Sequence, residues 1–197
     1  LIDVISETGD SGRLAGEARL DGRDALGYAL AKGRLRAAAL IAERLPSTLR
    51  NPSTFFEAAR KGDRPALELL LAAGMDPAAS YREGAGYGNA LSLAKDPALR
   101  LYLMSKGVSE TVKLDAPEPL YLSAPDGFKL RSAPDERAPA VAPSAPAGAY
   151  AECQLLESRA PVARIEGRDG RWIRVRVGEA EGWAPSWRFS HFYDEGP

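Results

Sequence analysis

The hydrophobic pattern of the chain changes period partway along it. Residues 20–113 are rich in Ala and Leu at helical spacing, with Leu67, Leu70 and Leu71 on one predicted helix and Leu99, Leu101 and Leu103 on another. Past residue 115 the period becomes two. Trp172-Ile173-Arg174-Val175-Arg176-Val177 alternates strictly, which predicts a strand with Ile173, Val175 and Val177 on one face and Trp172, Arg174 and Arg176 on the other. Asp169-Gly170 before it and Gly178-Glu179 after it read as hairpin signals. Tyr150–Leu156 and Val162–Ile165 predict two more strands. Ten of the fifteen prolines and all three tryptophans lie beyond residue 115, so two domains are expected, joined at Leu114-Asp115-Ala116-Pro117-Glu118-Pro119.

The helical part repeats itself. Asp24 and Ser53 stand 29 residues apart at equivalent positions, Asn89 takes the same place in a third copy, and all three are N-cap residue types. Gly33 and Gly62 close the first helix of their copies. Pro65 and Pro97 suit the first turn of the second helix, and Gly74 and Gly107 suit a left-handed residue just after it. On Asp21-Gly22-Arg23-Asp24-Ala25-Leu26-Gly27-Tyr28-Ala29 and Ala73-Gly74-Met75-Asp76, the chain resembles the ankyrin repeat family over residues 21–113, as about three repeats, with residues 1–20 as a degenerate cap. It departs from that family in having Asp24, Ser53 or Asn89 at the Thr position and Gly27, Phe56 or Ser92 at the His position.

The second part is similar to bacterial SH3-like domains over residues 120–193. The likeness is carried by Phe128-Lys129-Leu130-Arg131-Ser132-Ala133-Pro134, Ala147-Gly148, Gly170-Arg171-Trp172-Ile173-Arg174-Val175 and Glu181-Gly182-Trp183-Ala184, in the family's order. The expected fold class is therefore multidomain α + β, a helical ankyrin solenoid followed by a small all-β barrel, with residues 114–119 as the linker.

Composition narrows the chemistry. With 26 basic and 27 acidic side chains the formal net charge is −1, which gives no overall electrostatic footprint for nucleic acid. One Cys (Cys153), one His (His191) and two Met leave no ligand set for zinc, iron–sulfur or haem, so no metal and no cofactor is expected. Gly84-Ala85-Gly86-Tyr87-Gly88 lacks a preceding buried strand and the spacing of a dinucleotide fingerprint, and it reads as the finger loop of the third repeat. Cys153 reads as a small buried hydrophobe. No nucleophile motif is present, and no catalytic residue is assigned. The proline-rich stretch 133–146 reads as a barrel loop and short strand.

What remains is recognition. The ankyrin resemblance implies a concave face that collects Arg23, Tyr28 and Lys32, then Arg50, Glu57, Arg60 and Lys61, then Tyr81, Arg82 and Tyr87. Tyr and Arg are the residue types that dominate protein interfaces. On the barrel, Tyr121, Trp172, Pro185 and Trp187 are expected as an aromatic ligand strip, and Trp172 is either covered by a loop or exposed for binding. The expected function is a non-catalytic protein–protein interaction or scaffold protein, binding a protein or peptide partner. The alternative is cell-envelope targeting through peptidoglycan, and a carboxylate-based hydrolase comes third. No apolar run reaches the ~20 residues of a membrane span. The opening Leu1-Ile2-Asp3 lacks both an initiator Met and a signal-peptide layout, which favours a removed leader and an extracytoplasmic, periplasmic or envelope-anchored location, with the cytoplasm left open.

Overall fold

The computed structural model describes residues 24–124, 127–145 and 149–191. It divides into two compact units, and the division is not a single cut. One unit holds residues 24–79 and 93–107, and the other holds residues 80–92 together with 108–191.

The first unit is made of short helices. These are α1 (Ala25–Ala31), α2 (Leu35–Arg44), a 3₁₀ turn (Pro46–Arg50), α3 (Ser53–Lys61), α4 (Arg64–Ala72) and α6 (Pro97–Ser105). A single turn, α5 (Ala90–Leu93), lies across the boundary in sequence. Their ends follow local chemistry. Asp24 accepts from Gly27 N at 2.7 Å, Asp63 from Ala66 N at 3.1 Å and Asp96 from Ala98 N at 3.0 Å, each satisfying an orphan amide of a first turn. Gly62, in the left-handed region at φ +74°, ends α3. Ser53 does not cap its helix; Asn51 accepts its N–H instead, at 3.1 Å. Leu26, Phe55, Leu67, Leu70 and Leu103 are fully buried here, and α1 packs on α2, α3 on α4 and α2 on α4.

This is not an ankyrin solenoid. Two helix pairs form, but the array stops at the third copy, whose first helix is one turn long and falls, down to Ser92, in the other unit together with residues 80–89. The repeat signal consists of caps and glycines, which act within a turn or two. It specifies helix ends and not the stacking of successive pairs. The expected cap, residues 1–20, lies outside the described residues.

The second unit is dominated by a curled, antiparallel seven-stranded sheet. Its strands are β3 (Thr111–Ala124), β4 (Phe128–Arg131), β5 (Ala140–Ala145), β6 (Ala149–Arg159), β9 (Trp172–Val177), β10 (Ala180–Pro185) and β11 (Phe189–His191), in the order β11-β3-β6-β9-β10-β4-β5. Two hairpins complete it, β1 (Ser80–Glu83) with β2 (Gly86–Asn89), and β7 (Ala163–Ile165) with β8 (Arg168–Gly170). The architecture is mixed and strand-rich, and the expected small SH3-like barrel is replaced by this wider sheet. The short motifs that carried the resemblance mark single strands and turns, whereas the strand order is set by pairings far apart in sequence, such as β11 on β3 and β10 on β4. The solenoid-scaffold and cell-envelope roles expected of those two folds lose their structural basis with them.

Residues 114–119, expected as a linker, lie within β3. Pro117 and Pro119 cannot donate to a ladder, and the pairing of β3 with β6 shifts register between Lys113 and Glu118. The core of this unit gathers Leu120 and Leu122 of β3, Leu130 of β4, Cys153 and Leu155 of β6, Ile173 and Val175 of β9, Ala184 of β10 and Phe189 of β11, with Ala85 from the first hairpin. The inward face of β9 is the one its alternation predicts. On its other face Arg174 reaches Glu157 at 3.0 Å and Glu181 at 3.1 Å, tying β6, β9 and β10 together. The hydrogen bond from Arg176 holds the Glu181 carboxyl below the usual carboxylate range.

No helix among the described residues is long and apolar enough to cross a membrane.

Candidate functional site

The first hairpin explains the glycine string. Its two-residue turn places Gly84 at φ +56°, a position that favours glycine, and β1 pairs with β2 from Ser80↔Asn89 to Glu83↔Gly86. Gly86 and Gly88 are two apart and so face the same side. A Cβ at Gly86 would stand 3.0 Å from Ser158 Oγ, and one at Gly88 would stand 2.7 Å from both Arg171 Nη2 and the Tyr81 ring. The glycines therefore let a strand lie flush on the sheet, which accounts for the motif by close packing.

Arg171 lies beneath that strand, only 3% exposed. Its guanidinium bonds Glu83, Tyr81 Oη (3.4 Å) and Ser92 Oγ (3.2 Å), and its carbon Cζ lies 5.9 Å from the Tyr81 ring centroid. Ser158 Oγ accepts from Tyr87 N and donates to Tyr87 O, both at 3.0 Å. Tyr87 Oη donates to Glu118 at 2.6 Å. Burial, and then the neighbouring Glu118 carboxylate, push the Tyr87 phenol up to about 12. Absorbance titration of the phenols should show a step near pH 12 that Tyr87→Phe removes. Because the folded state favours the neutral phenol, the stability this group contributes is intact below the ordinary value of 10.0 and is lost as pH rises through about 12.

The backbone of Arg171 faces a different feature. Its N–H donates to Ser186 Oγ at 3.0 Å and its C=O accepts from Ser186 N at 2.8 Å, fixing the 3₁₀ turn Ser186–Arg188 that carries Trp187. Trp187 is half-buried. A Cβ on Gly170 would lie 2.8 Å from its Cδ1, so the pyrrole edge rests on that glycine, and its Nε1–H is buried without a partner among the described residues. What Trp187 offers to solvent is apolar ring. It forms one wall of a cleft of about 570 Å³ with Ser123, Glu166, Arg168, Arg188, Phe189 and Ser190, within the size range of ligand pockets.

Two guanidiniums lie over the indole, Arg168 at 4.9 Å and Arg188 at 4.4 Å from its centroid. Arg188 also donates to Glu166 and to the Gly127 carbonyl, each at 3.2 Å. Arg168 is exposed and has no carboxylate partner among the described residues. The β7–β8 turn aims these groups. Glu166 and Gly167 both have positive φ, at 47° and 81°, so Glu166 holds a left-handed conformation that a non-glycine residue adopts at a cost of roughly 1–3 kcal/mol. The turn falls at Glu166-Gly167, with Asp169-Gly170 in β8 and not at the hairpin tip as the dipeptide suggested.

The residues singled out from sequence are scattered. Tyr28 and Lys32 belong to α1, where Lys32 Nζ lies 5.6 Å from the Tyr28 ring centroid. Arg50 ends the 3₁₀ turn. Glu57 and Lys61 form an ion pair at 2.8 Å on α3, beside exposed Arg60. Tyr81, Arg82 and Tyr87 sit in the other unit, on the first hairpin, and Arg23 lies outside the described residues. In the sheet, Trp172 is 8% exposed and pairs in register with buried Pro185. Tyr121 pairs with Ser190 and Glu152. Of that strip only Trp187 lines the cleft. Arg168, Arg188 and Glu166 had no linear signal beyond the Gly167 turn.

Cys153 lies within the core at 1% exposure, and burial pushes its thiol up to about 11, a poor nucleophile. Among the described residues no group of three His, Cys, Asp or Glu side chains gathers as metal ligands would. No family model, curated protein or solved structure matches the chain.

Proposed function

We propose that this chain is a non-catalytic binding protein that holds a segment of a protein partner in the Trp187 cleft. The observation that carries the reading is the Arg168 guanidinium laid over a half-buried tryptophan at an open cleft, without a carboxylate of its own among the described residues. Trp and Arg are the side chains that most often anchor protein interfaces. The Trp187 N–H is buried without a partner among the described residues, at a cost on the order of 1–3 kcal/mol. The reading as a binder and not an enzyme is supported by the one thiol being shut in the core and held protonated.

Selection of peptides from a random display library on the full chain tests this. Peptides that lose binding at least tenfold on Trp187→Ala, with the variant's circular dichroism unchanged, support the proposal. Selected peptides that bind the variant as well as the parent sink it.

A further inference from the structure

We infer that the Trp187 cleft selects a carboxylate side chain, so that its partner segment is an acidic peptide. The inference rests on the proposed peptide-binding role and adds the chemistry of what is bound.

The argument starts from the charges at the cleft. Among the described residues three ionised side chains line it, Glu166, Arg168 and Arg188, and the Glu136 carboxylate accepts from Glu166 N at the turn beside it. Arg188 is 11% exposed and is engaged by the Glu166 carboxylate and the Gly127 carbonyl. Arg168 remains, exposed and with no carboxylate among the described residues, as the guanidinium presented to what enters the cleft.

Geometry makes that charge selective. A guanidinium stacked on an aromatic face keeps its in-plane N–H donors free, and its side chain loses less entropy on pairing because the stack already restrains it. The planar fork matches a carboxylate in a bidentate pair. Ser123 of β3 and Ser190 of β11 line the same cleft, and Ser190 pairs in register with Tyr121, two residues before Ser123. Their hydroxyls supply further donors, and the Trp187 ring supplies an apolar wall for the methylenes of Glu. A phosphate is the poorer fit. Its second charge would meet one unspent guanidinium and a wall that contains Glu166.

Fluorescence polarisation on the full chain tests this with three labelled peptides of one design, alternating Gly with Glu, Gln or phosphoserine. The Glu peptide should bind at least tenfold tighter than the Gln peptide. Arg168→Gln should erase that preference and Arg168→Lys should leave part of it. Arg164→Gln, which removes an equal charge from the neighbouring exposed pair with Asp169, should leave it intact. Binding should weaken with added salt and fail as pH falls through the peptide carboxyl value, about 4.3.

Equal binding of the Glu and Gln peptides overturns the inference, as does equal loss in the Arg164 and Arg168 variants. Tighter binding of the phosphoserine peptide overturns it in favour of phosphate. If both Glu and Gln peptides bind equally and Trp187→Phe weakens both, the acidic preference falls and the peptide-binding role stands. If Trp187→Phe weakens neither, both fall, and so they do if no peptide binds by about 1 mM, a Kd equivalent to only about −4 kcal/mol.

Discussion

Arg171→Ala is expected to destabilise the sheet-containing unit by roughly 3 kcal/mol and to free the 80–89 hairpin ahead of global unfolding. The side chain is 3% exposed and bonds Tyr81 and Glu83 of β1 and Ser92 of α5, which follows the hairpin. A hydrogen bond to a charged group is worth about 1.5–3 kcal/mol, and a buried one is lost here without water to replace it. The Glu83 pair itself is discounted, because that carboxylate is 58% exposed and regains solvent readily. The void left behind adds to the cost, since Gly86 and Gly88 keep the strand close to a guanidinium that is no longer there. Hydrogen exchange should show protection lost first at the amides of β1 and β2, with the β3–β6–β9 ladder retaining more. Arg171→Met, which keeps most of the stem, should fall between. A variant that melts within a degree or two of the parent, with the hairpin amides still protected, would show that the sheet holds the hairpin by other means.

The second large effect is expected at Gly182. A Cβ there would lie 2.9 Å from the Arg131 carbonyl oxygen and 2.9 Å from Leu130 Cβ. Both belong to β4, which meets β10 at Trp183↔Arg131. Rotating a side chain cannot relieve a contact with backbone, so β4 must move away from β10, and β5, which among the described strands pairs with β4 alone, must move with it. Overpacking of this kind costs about 1–3 kcal/mol, with the upper end expected where backbone must give. Gly182→Ala should therefore lower the midpoint of chemical unfolding in proportion and increase exchange at β4 and β5 more than at β9. Protection lost uniformly over the sheet would contradict this account.

The two substitutions act on interactions that differ in how far they reach along the chain, and legibility followed that reach. Asp24, Asp63 and Asp96 cap helices by bonding an amide two or three residues away, and Gly62 ends one by its own φ. Such signals are complete within a turn, so the ends at Asp24 and Gly62 could be read directly, whereas Ser53, a cap by residue type, does not act as one and Asp63 and Asp96 were not singled out. The alternation of β9 was legible for the same reason, because burial of one face imposes a period of two. Those local signals also produced the two family resemblances that the structure does not support. A cap or a hairpin glycine is compatible with many stackings of the element it ends.

The first hairpin shows where reading stopped. Gly84-Ala85-Gly86-Tyr87-Gly88 sits between helices in sequence, while Ser158 bonds Tyr87 from 71 residues away and Arg171 reaches Tyr81 of the same hairpin from 90 residues away. Nothing near the glycines indicates that an arginine will need their missing side chains. The cleft is similar. Trp187 stood out as an aromatic residue near the end of the sheet, while Arg168, Arg188 and Glu166 became a site only when the Glu166–Gly167 turn and the Ser186–Arg171 bonds brought them to one indole.

By itself the sequence determined several of the helix ends, which face of β9 is apolar, and that too few Cys and His residues exist for the common metal centres. Tertiary structure decided which segments share a unit, that a hairpin from the helical half of the chain lies on the sheet, and that Arg168 is the arginine laid over Trp187 without a carboxylate among the described residues. The physical reason is range. Capping, φ preference and periodicity are settled within a few residues, whereas close approach at a glycine and the balance of charge in a cleft depend on side chains that only folding brings together.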